Sequence, residues 1–274
     1  MAIVVNTNIS ALKTQRNLNN ATNLLNSSLE RMSTGLKINR AADDAAGMYV
    51  ASNLETQIRG SKIAQSNVET GINVLQTVEG NLDVINENLL RIRDLCVQAA
   101  NGVYDANSYT AMQNEVNARL EEITRIQDSA KFNGLALFTT SSSGLGKTGL
   151  GLQVGANSGN TITADKTIFQ KLTNPTVTLS TGASAAITSV SAAITNVTSK
   201  KAAIGAVQNR LNSAQQSLIT TIENASAAKS TIMDADISEE AANYTKAQIL
   251  QQTSATLLTQ ANQMPALALQ LVAG

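Results

Sequence analysis

Residues 64–99 read AQSNVETGINVLQTVEGNLDVINENLLRIRDLCVQA. Counting alternately by fours and threes from Ala64 selects Val68, Gly71, Leu75, Val78, Leu82, Ile85, Leu89, Ile92, Cys96 and Ala99. Ten of these eleven positions are apolar, and Gly71 is the exception. This alternation draws one narrow stripe along a helix, with a mean spacing of about 3.5 residues, the coiled-coil value. A helix over these 36 residues would be ~54 Å long at ~1.5 Å per residue. No small globular core needs an element of that length, so it reads as a rod that lies against other rods.

Working outward, residues 5–36 read as a first helix, with Leu18, Leu25, Leu29, Met32 and Leu36 supplying its stripe. Asn17, Asn19, Asn20, Asn23 and Asn26 are weak helix formers, so this helix is expected to be marginal alone and to need a partner. Ser33-Thr34-Gly35 marks a bend, and residues 37–60 read as an irregular connector with short helical pieces. The second helix then takes residues 61–100 and closes at Asn101-Gly102. Asp105 or Asn107 caps a third helix near 107–129, which carries Met112, Val116, Leu120 and Ile123 and ends before the turn Phe132-Asn133-Gly134.

Between residues 135 and 182 the texture changes to Gly, Ser and Thr, with short alternating runs at 150–154, 161–163 and 176–179. These predict a small β-hairpin region with Pro175 at its edge. From Ala183 the helical spacing returns through Ile187, Val190, Ile194, Val197, Ile204, Leu211, Leu218, Ile222 and Ala225. Lys201, Gln208 and Gln215 interrupt it, as polar residues do where register must be fixed. Asp234-Ala235-Asp236 breaks the run, and a last helix follows on the track Ala247, Leu250, Ser254, Leu257, Ala261, Met264, Ala268 and Leu271. Pro265 is expected to kink this helix or end its first part. The fold class is therefore mainly α: long coiled-coil-like helical rods from paired N- and C-terminal arms, with a small central hairpin region.

Lysine and arginine number 20 and aspartate and glutamate 20, so the net charge is zero. That argues against nucleic acid or an anionic membrane as the principal partner and suits self-association. The absence of His removes the commonest general base and metal ligand, and no cofactor is implied. Cys96 falls in the apolar stripe and reads as a small buried hydrophobe. The start, Met1 to Asn8, has no basic region and only a four-residue apolar run, unlike a secretory signal. On general grounds that suits the cytoplasm, although an export route reading unprocessed termini would look the same.

Asp43-Asp44 reads as part of an ion-paired connector with Arg40, not as a catalytic pair. Asn8-Ile9-Ser10, Asn20-Ala21-Thr22 and Asn224-Ala225-Ser226 match the glycosylation pattern by chance in an Asn-rich chain, while Ser141-Ser142-Ser143 is an exposed candidate for sugar attachment.

Six stretches together resemble the bacterial flagellins. They are Ser33–Gly47, Arg91–Asn101, Lys131–Gly134, Gln153–Asn157 and, near the other end, Asp234–Asp236 with Lys246–Gln252. The resemblance implies a subunit exported unprocessed through the flagellar apparatus with an export chaperone. It further implies polymerisation beneath a cap into an extracellular filament that joins the hook-junction proteins. It implies an inner domain from arms 1–44 and 231–274, carrying Leu18, Leu25, Leu29, Met32, Leu250, Leu257, Met264 and Leu271 as assembly residues. A rod domain of 45–230 is expected outside it, with the hairpin patch at 135–182. Outer inserted domains look absent, because few residues separate the arms. The alternative reading is the hook–filament junction protein, which shares the terminal helices. An enzymatic insert of the H-E-x-x-H kind fails for want of any His.

Arg91 and Leu95 are four apart and lie to one side of the Leu89–Ile92–Cys96 stripe, while Glu115 lies off the stripe of the third helix. The three are expected to converge as an exposed patch, with packing of Leu95 at the core edge as the alternative. In flagellins recognised by Toll-like receptor 5, matching positions carry the contact, and the resemblance implies the same use here.

Overall fold

The computed structural model describes residues 7–140, 142 and 144–273, with the side chains of Thr181 and 265–273 outside the description. Six helices are described: α1 (Ile9–Thr34), α2 (Ala45–Ala99), α3 (Ala106–Ser129), α4 (Gly144–Thr148), α5 (Leu179–Met233) and α6 (Ile237–Ala273). Four short strands form two antiparallel hairpins, β1 (Lys131–Phe132) with β2 (Leu135–Ala136) and β3 (Leu150–Gln153) with β4 (Thr161–Ala164). The chain divides into two compact units, one of residues 57–223 and one of residues 1–56 with 224–274.

In the unit of residues 57–223, all eleven positions of the 64–99 stripe are buried, Gly71 included. Their side chains join those of α3 and α5 in one cluster that also takes in Phe138, Phe169, Leu137 and Ile168. Burial of each such leucine or isoleucine is worth about 1.5–3 kcal/mol, so this cluster dominates the unit's stability. Polar residues set the register. Lys201 pairs with Asp83, Gln208 donates to Glu79 at 3.1 Å and Gln215 donates to Glu69 at 3.3 Å. The positions on α5 rise as those on α2 fall, so the two helices run antiparallel, and the interruptions seen in the α5 stripe are its register pins.

Gly71 is explained by the β3–β4 hairpin. A Cβ at Gly71 would lie 2.2 Å from Cδ1 of Leu152, and one at Gly60 would lie 2.7 Å from the Ala156 Cβ. These glycines, three turns apart on α2, let the hairpin rest directly on the helix, where Asn67 also donates to the Gln153 carbonyl at 3.3 Å.

Three expectations about secondary structure need correction. Helix α2 begins at Ala45, not at residue 61, because Asp44 caps it by accepting from Ala46 N and Gly47 N at 3.1 and 3.0 Å. The stripe also runs back through Ile58 and Ala51, which are buried. The run 176–179 forms no strand. Its backbone is met instead by side-chain amides of α3: Gln113 donates to the Val177 carbonyl and accepts from Leu179 N, both at 3.0 Å. Gln127 accepts from Leu172 N at 2.7 Å, and Asn174 donates to Thr124 Oγ1 at 2.9 Å. A side-chain amide carries the same donor and acceptor as a peptide group, so no second strand is required. Helix α6, finally, continues through Pro265 to Ala273. Proline removes one backbone bond, which a long helix survives.

Turn chemistry agrees with the sequence elsewhere. Asp105 caps α3 by accepting from Ser108 N at 2.9 Å, and Asn133 and Gly134 take φ of 48° and 80° between the paired Phe132 and Leu135. The Lys200 ammonium, donating to the carbonyls of Thr167, Ile168 and Gln170, closes the end of the 3₁₀ turn Lys166–Phe169. Burial pushes its pKa down to about 8.

In the unit formed by the two arms, α1 and α6 run antiparallel with Cα atoms approaching within 8 Å. Asn8 donates to the Ala261 carbonyl at 2.7 Å, Gln251 to Thr22 at 3.3 Å and Arg31 to Glu240 at 3.0 Å. Where α1 ends and α6 begins, two connectors cross: Lys37 N donates to Met233 O at 2.6 Å and Ala235 N to Gly35 O at 3.0 Å. Ile38, Ala51 and Met233 are buried under this crossing. The Asp43-Asp44 pair serves the backbone. Asp43 accepts from Asn39 N and Arg40 N, which holds its carboxyl below the usual range. The Arg40 guanidinium turns instead to Glu30, at 2.9 Å, which corrects the expected pairing with these aspartates.

Two glycine substitutions should act in opposite directions. Gly71→Val is expected to destabilise residues 57–223 by about 1–3 kcal/mol through overpacking, and Leu152→Ala should cost less in that background than alone. Gly80→Ala, where a Cβ meets nothing within 4 Å, should stabilise the chain by about 1 kcal/mol. Urea unfolding of the four variants checks both signs.

Candidate functional site

Two surfaces carry the residues singled out in the sequence. The first is the pair α1–α6. Its seam is built from small and polar side chains: Ala21 and Ser28 of α1 and Ala247, Ser254 and Ala261 of α6 are buried. Leu18, Leu25 and Met32 are half-buried between them, as are Gln251 and Leu258 on α6. Small residues permit the close approach of the backbones but bury little apolar area.

The consequence is that several large apolar residues remain outside. Leu250, Leu257 and Met264, placed on the seam by the sequence track, are instead 44%, 50% and 51% exposed, and Leu29 of α1 is exposed too. The track was right at Ala247, Ser254 and Ala261 but took the step of three where the helix uses the step of four, to Gln251 and Leu258. Alternating Ala and Ser with larger residues leaves two equally good tracks in the sequence, and only the position of α1 selects one. The side chain of Leu271 lies outside the described residues, as do Ser141 and Ser143 of the serine run.

The second surface lies where α2 and α3 meet. Arg91 Nε donates to Glu115 Oε1 at 3.0 Å and Arg91 Nη2 to Oε2 at 3.4 Å. Arg119 Nε reaches the same Oε1 at 3.1 Å, and its Nη1 donates to Asn88 Oδ1 at 3.2 Å. The hydrogen bond from Arg91 holds the Glu115 carboxyl below its ordinary range, with Arg119 adding to it, and Glu115 in turn raises the Arg91 guanidinium. Arg119 was not singled out, although its position four residues after Glu115 on one helix is the signal that would have found it.

Leu95 does not belong to this exposed patch. It is 2% exposed and joins the core, which corrects the expected exposure. The reason is that α2 is covered by α3 as well as by α5, so its buried face is wider than a two-helix stripe. Leu95 lies one turn from Arg91, which pairs with Glu115 of α3, and the neighbouring Cys96 is buried too, which pushes its thiol pKa up. The leucine beside Arg91 that does face outward is Leu90, at 43%.

Among the described residues, no group of three or more His, Cys, Asp or Glu is placed to hold a metal ion. A cleft of about 620 Å³ between α3 and residues 177–180 is lined by Tyr109, Thr110, Gln113 and Asn114 with no carboxylate or basic side chain. No described helix is long and apolar enough to cross a membrane.

Known proteins resemble the chain along most of its length. The bacterial flagellin N-terminal helical region matches residues 5–143, and the bacterial flagellin C-terminal helical region matches residues 187–272. A flagellin of Halalkalibacterium halodurans is 36% identical over 276 aligned positions, covering 98% of this chain and 100% of that protein. The flagellar filament core protein flaB2 of Brachyspira hyodysenteriae is 36% identical over 284 positions, again covering 98% and 100%. Among solved structures, a putative flagellar hook-associated protein from Vibrio parahaemolyticus superposes with a TM-score of 0.57 at 17% identity. It covers 70% of this chain and 100% of that one. That last likeness is one of fold alone.

The two leucines of the α2–α3 edge separate by substitution. Leu95→Ala should cost about 2–5 kcal/mol, whereas Leu90→Ala should change stability by less than about 0.5 kcal/mol. Urea unfolding measures both. A second expectation concerns pH. Because the folded-state carboxyl of Glu115 is depressed, its contribution is present above the ordinary glutamate pKa and is lost as pH falls through the lowered value. Carboxyl-carbon NMR should therefore show Glu115 titrating below its ordinary midpoint, and Arg91→Ala should move that midpoint back up.

Proposed function

We infer that this chain, which belongs to the bacterial flagellin family, is a structural subunit that polymerises into the flagellar filament. The observation in the structure that supports this reading is the unfinished burial of the terminal helices. A pair of helices that keeps Ala and Ser on its seam while Leu250, Leu257 and Met264 face outward satisfies its hydrogen bonds but not its apolar surface. Copies of the same pair supply a matching cover, and the chain's zero net charge opposes their approach with no long-range repulsion.

On this reading the arms 1–44 and 231–274 form the inner domain of the filament and residues 45–230 the rod outside it. The subunit is exported unprocessed through the flagellar apparatus with its chaperone, is added beneath the cap, and meets the hook-junction proteins at the filament's base. The family is a structural one, and we assign the chain no catalytic role. The edge formed by Arg91, Glu115 and Arg119 is the face we assign to contact with a neighbouring subunit and, in a host, to Toll-like receptor 5. Leu95 supports that edge from beneath and makes no contact of its own.

Electron microscopy of the purified, polymerised chain tests the main assignment, since a filament subunit extends into long filaments and a junction protein does not. Deleting residues 141–149 should leave filaments intact, whereas deleting residues 1–20 should abolish them. Leu257→Ala should spare monomer stability and impair polymerisation. Leu258→Ala, on the seam, should weaken the monomer's α1–α6 pairing, seen as faster amide exchange there. Filaments that form normally from the Leu257→Ala chain would count against the exposed α6 stripe as an assembly surface.

A further inference from the structure

The sequence contains two Asn-Gly pairs, Asn101-Gly102 and Asn133-Gly134. Asparagine followed by glycine is the pair best suited to intramolecular attack of a backbone amide on the side-chain amide, because glycine has no side chain to block the approach. The fold treats the two pairs differently.

Asn133 and Gly134 are the two central residues of the β1–β2 turn, held between the paired Phe132 and Leu135. Their φ values of 48° and 80° are those that an Asn-Gly turn of this type prefers. Bringing the Asn133 side chain over the Gly134 nitrogen means rotating Asn133 out of the turn, which breaks that pairing. Asn101 and Gly102 follow the last residue of α2 and precede the Asp105 cap of α3, in neither helix nor strand. Both are exposed, and a Cβ built on Gly102 would meet nothing within 4 Å. Asn101 N donates to Gln98 O at 3.2 Å, while no hydrogen bond is recorded for Gly102 N among the described residues. Asn133 and Gly134 share this exposure and open space, so what separates the two pairs is that turning Asn101 breaks no strand pairing.

We infer that Asn101 is a spontaneous deamidation site of the folded chain and that Asn133 is protected by its turn. Hydroxide removes the proton from Gly102 N, and that nitrogen attacks Cγ of Asn101. The N–Cγ bond forms, the Cγ–Nδ2 bond breaks, and Nδ2 leaves as ammonia after taking a proton from water. Water then opens the cyclic imide. Cleavage at Cγ leaves aspartate, and cleavage at the main-chain carbonyl leaves isoaspartate, with the chain rerouted through Cγ. The net change is one amide and one water converted to one carboxylate and ammonium.

The product puts a negative charge just beyond the C-terminal end of α2, the end where the helix dipole disfavours it. The contacts holding the helix pair on either side are untouched. Tyr109 Oη still donates to the Ala99 carbonyl at 3.0 Å, and Asp105 still caps α3. The site thus records the time a subunit has spent folded without dismantling it, and in a chain of zero net charge each event gives an acidic species.

The test is incubation of the intact purified chain at mildly alkaline pH, with a parallel sample in urea, followed by tryptic digestion. Peptides 94–119 and 132–147 separate the two pairs. Fragment masses locate the conversion, and labelling by an isoaspartate methyltransferase confirms its chemistry. In the folded sample Asn101 should convert faster than Asn133 by about tenfold or more, the factor imposed by about 1.4 kcal/mol of turn opening. In urea the two should convert at similar rates, and Asn101→Gln should remove the isoaspartate label from the folded protein. Equal conversion of both pairs in the folded chain would overturn the inference. So would conversion at Asn133 alone, or an unreactive Asn101 over a period in which the urea sample converts.

Discussion

Keeping water off one face of α2 is the constraint on which the unit of residues 57–223 depends. An isolated helix of that length has no stable apolar stripe in water, because its hydrogen bonds are indifferent to whether the stripe is covered. Coverage comes from α5 on one side and α3 on the other. The buried positions between Ala64 and Ala99 share one cluster with residues of both neighbours. The hairpin completes the cover where a side chain on α2 would be in the way, which is why the stripe carries glycine at position 71.

The arms solve the same problem differently. Between α1 and α6 the seam is made of Ala and Ser, so the helices approach closely and their register is held by polar contacts from Asn8, Gln251 and Arg31. The Arg31–Glu240 pair is mostly enclosed, and an enclosed pair of charges contributes to choice of register more than to stability. What the seam does not bury stays on the surface. That residual apolar area gives a polymer subunit something to gain on assembly.

Side-chain amides have a second use in the central region. Gln113, Gln127 and Asn174 fasten an extended segment to α3 and stand in for the strand that the alternation of residues 176–179 suggests. This device lets the chain return from the hairpins to α5 without building a larger sheet, and it keeps the connection short where other sequences could carry inserted domains.

Much of this architecture was legible from residue order. Spacing by fours and threes located α1, α3, α5 and α6 and the 64–99 stripe of α2, because a helix repeats itself regardless of its surroundings. Asp105, Asn133-Gly134 and Gly35 marked their turns, since caps and left-handed residues act on their immediate neighbours. Three features depended on what packs against what. Leu95 is buried because α2 has two neighbours instead of one, and Leu258 displaces Leu257 from the seam because α1 lies nearer the step of four. Residues 176–179 are not a strand because Gln113, far away in the sequence, takes up their backbone groups. Periodicity fixes which residues share a face of one element. Only the placement of a second element decides whether that face meets protein or water.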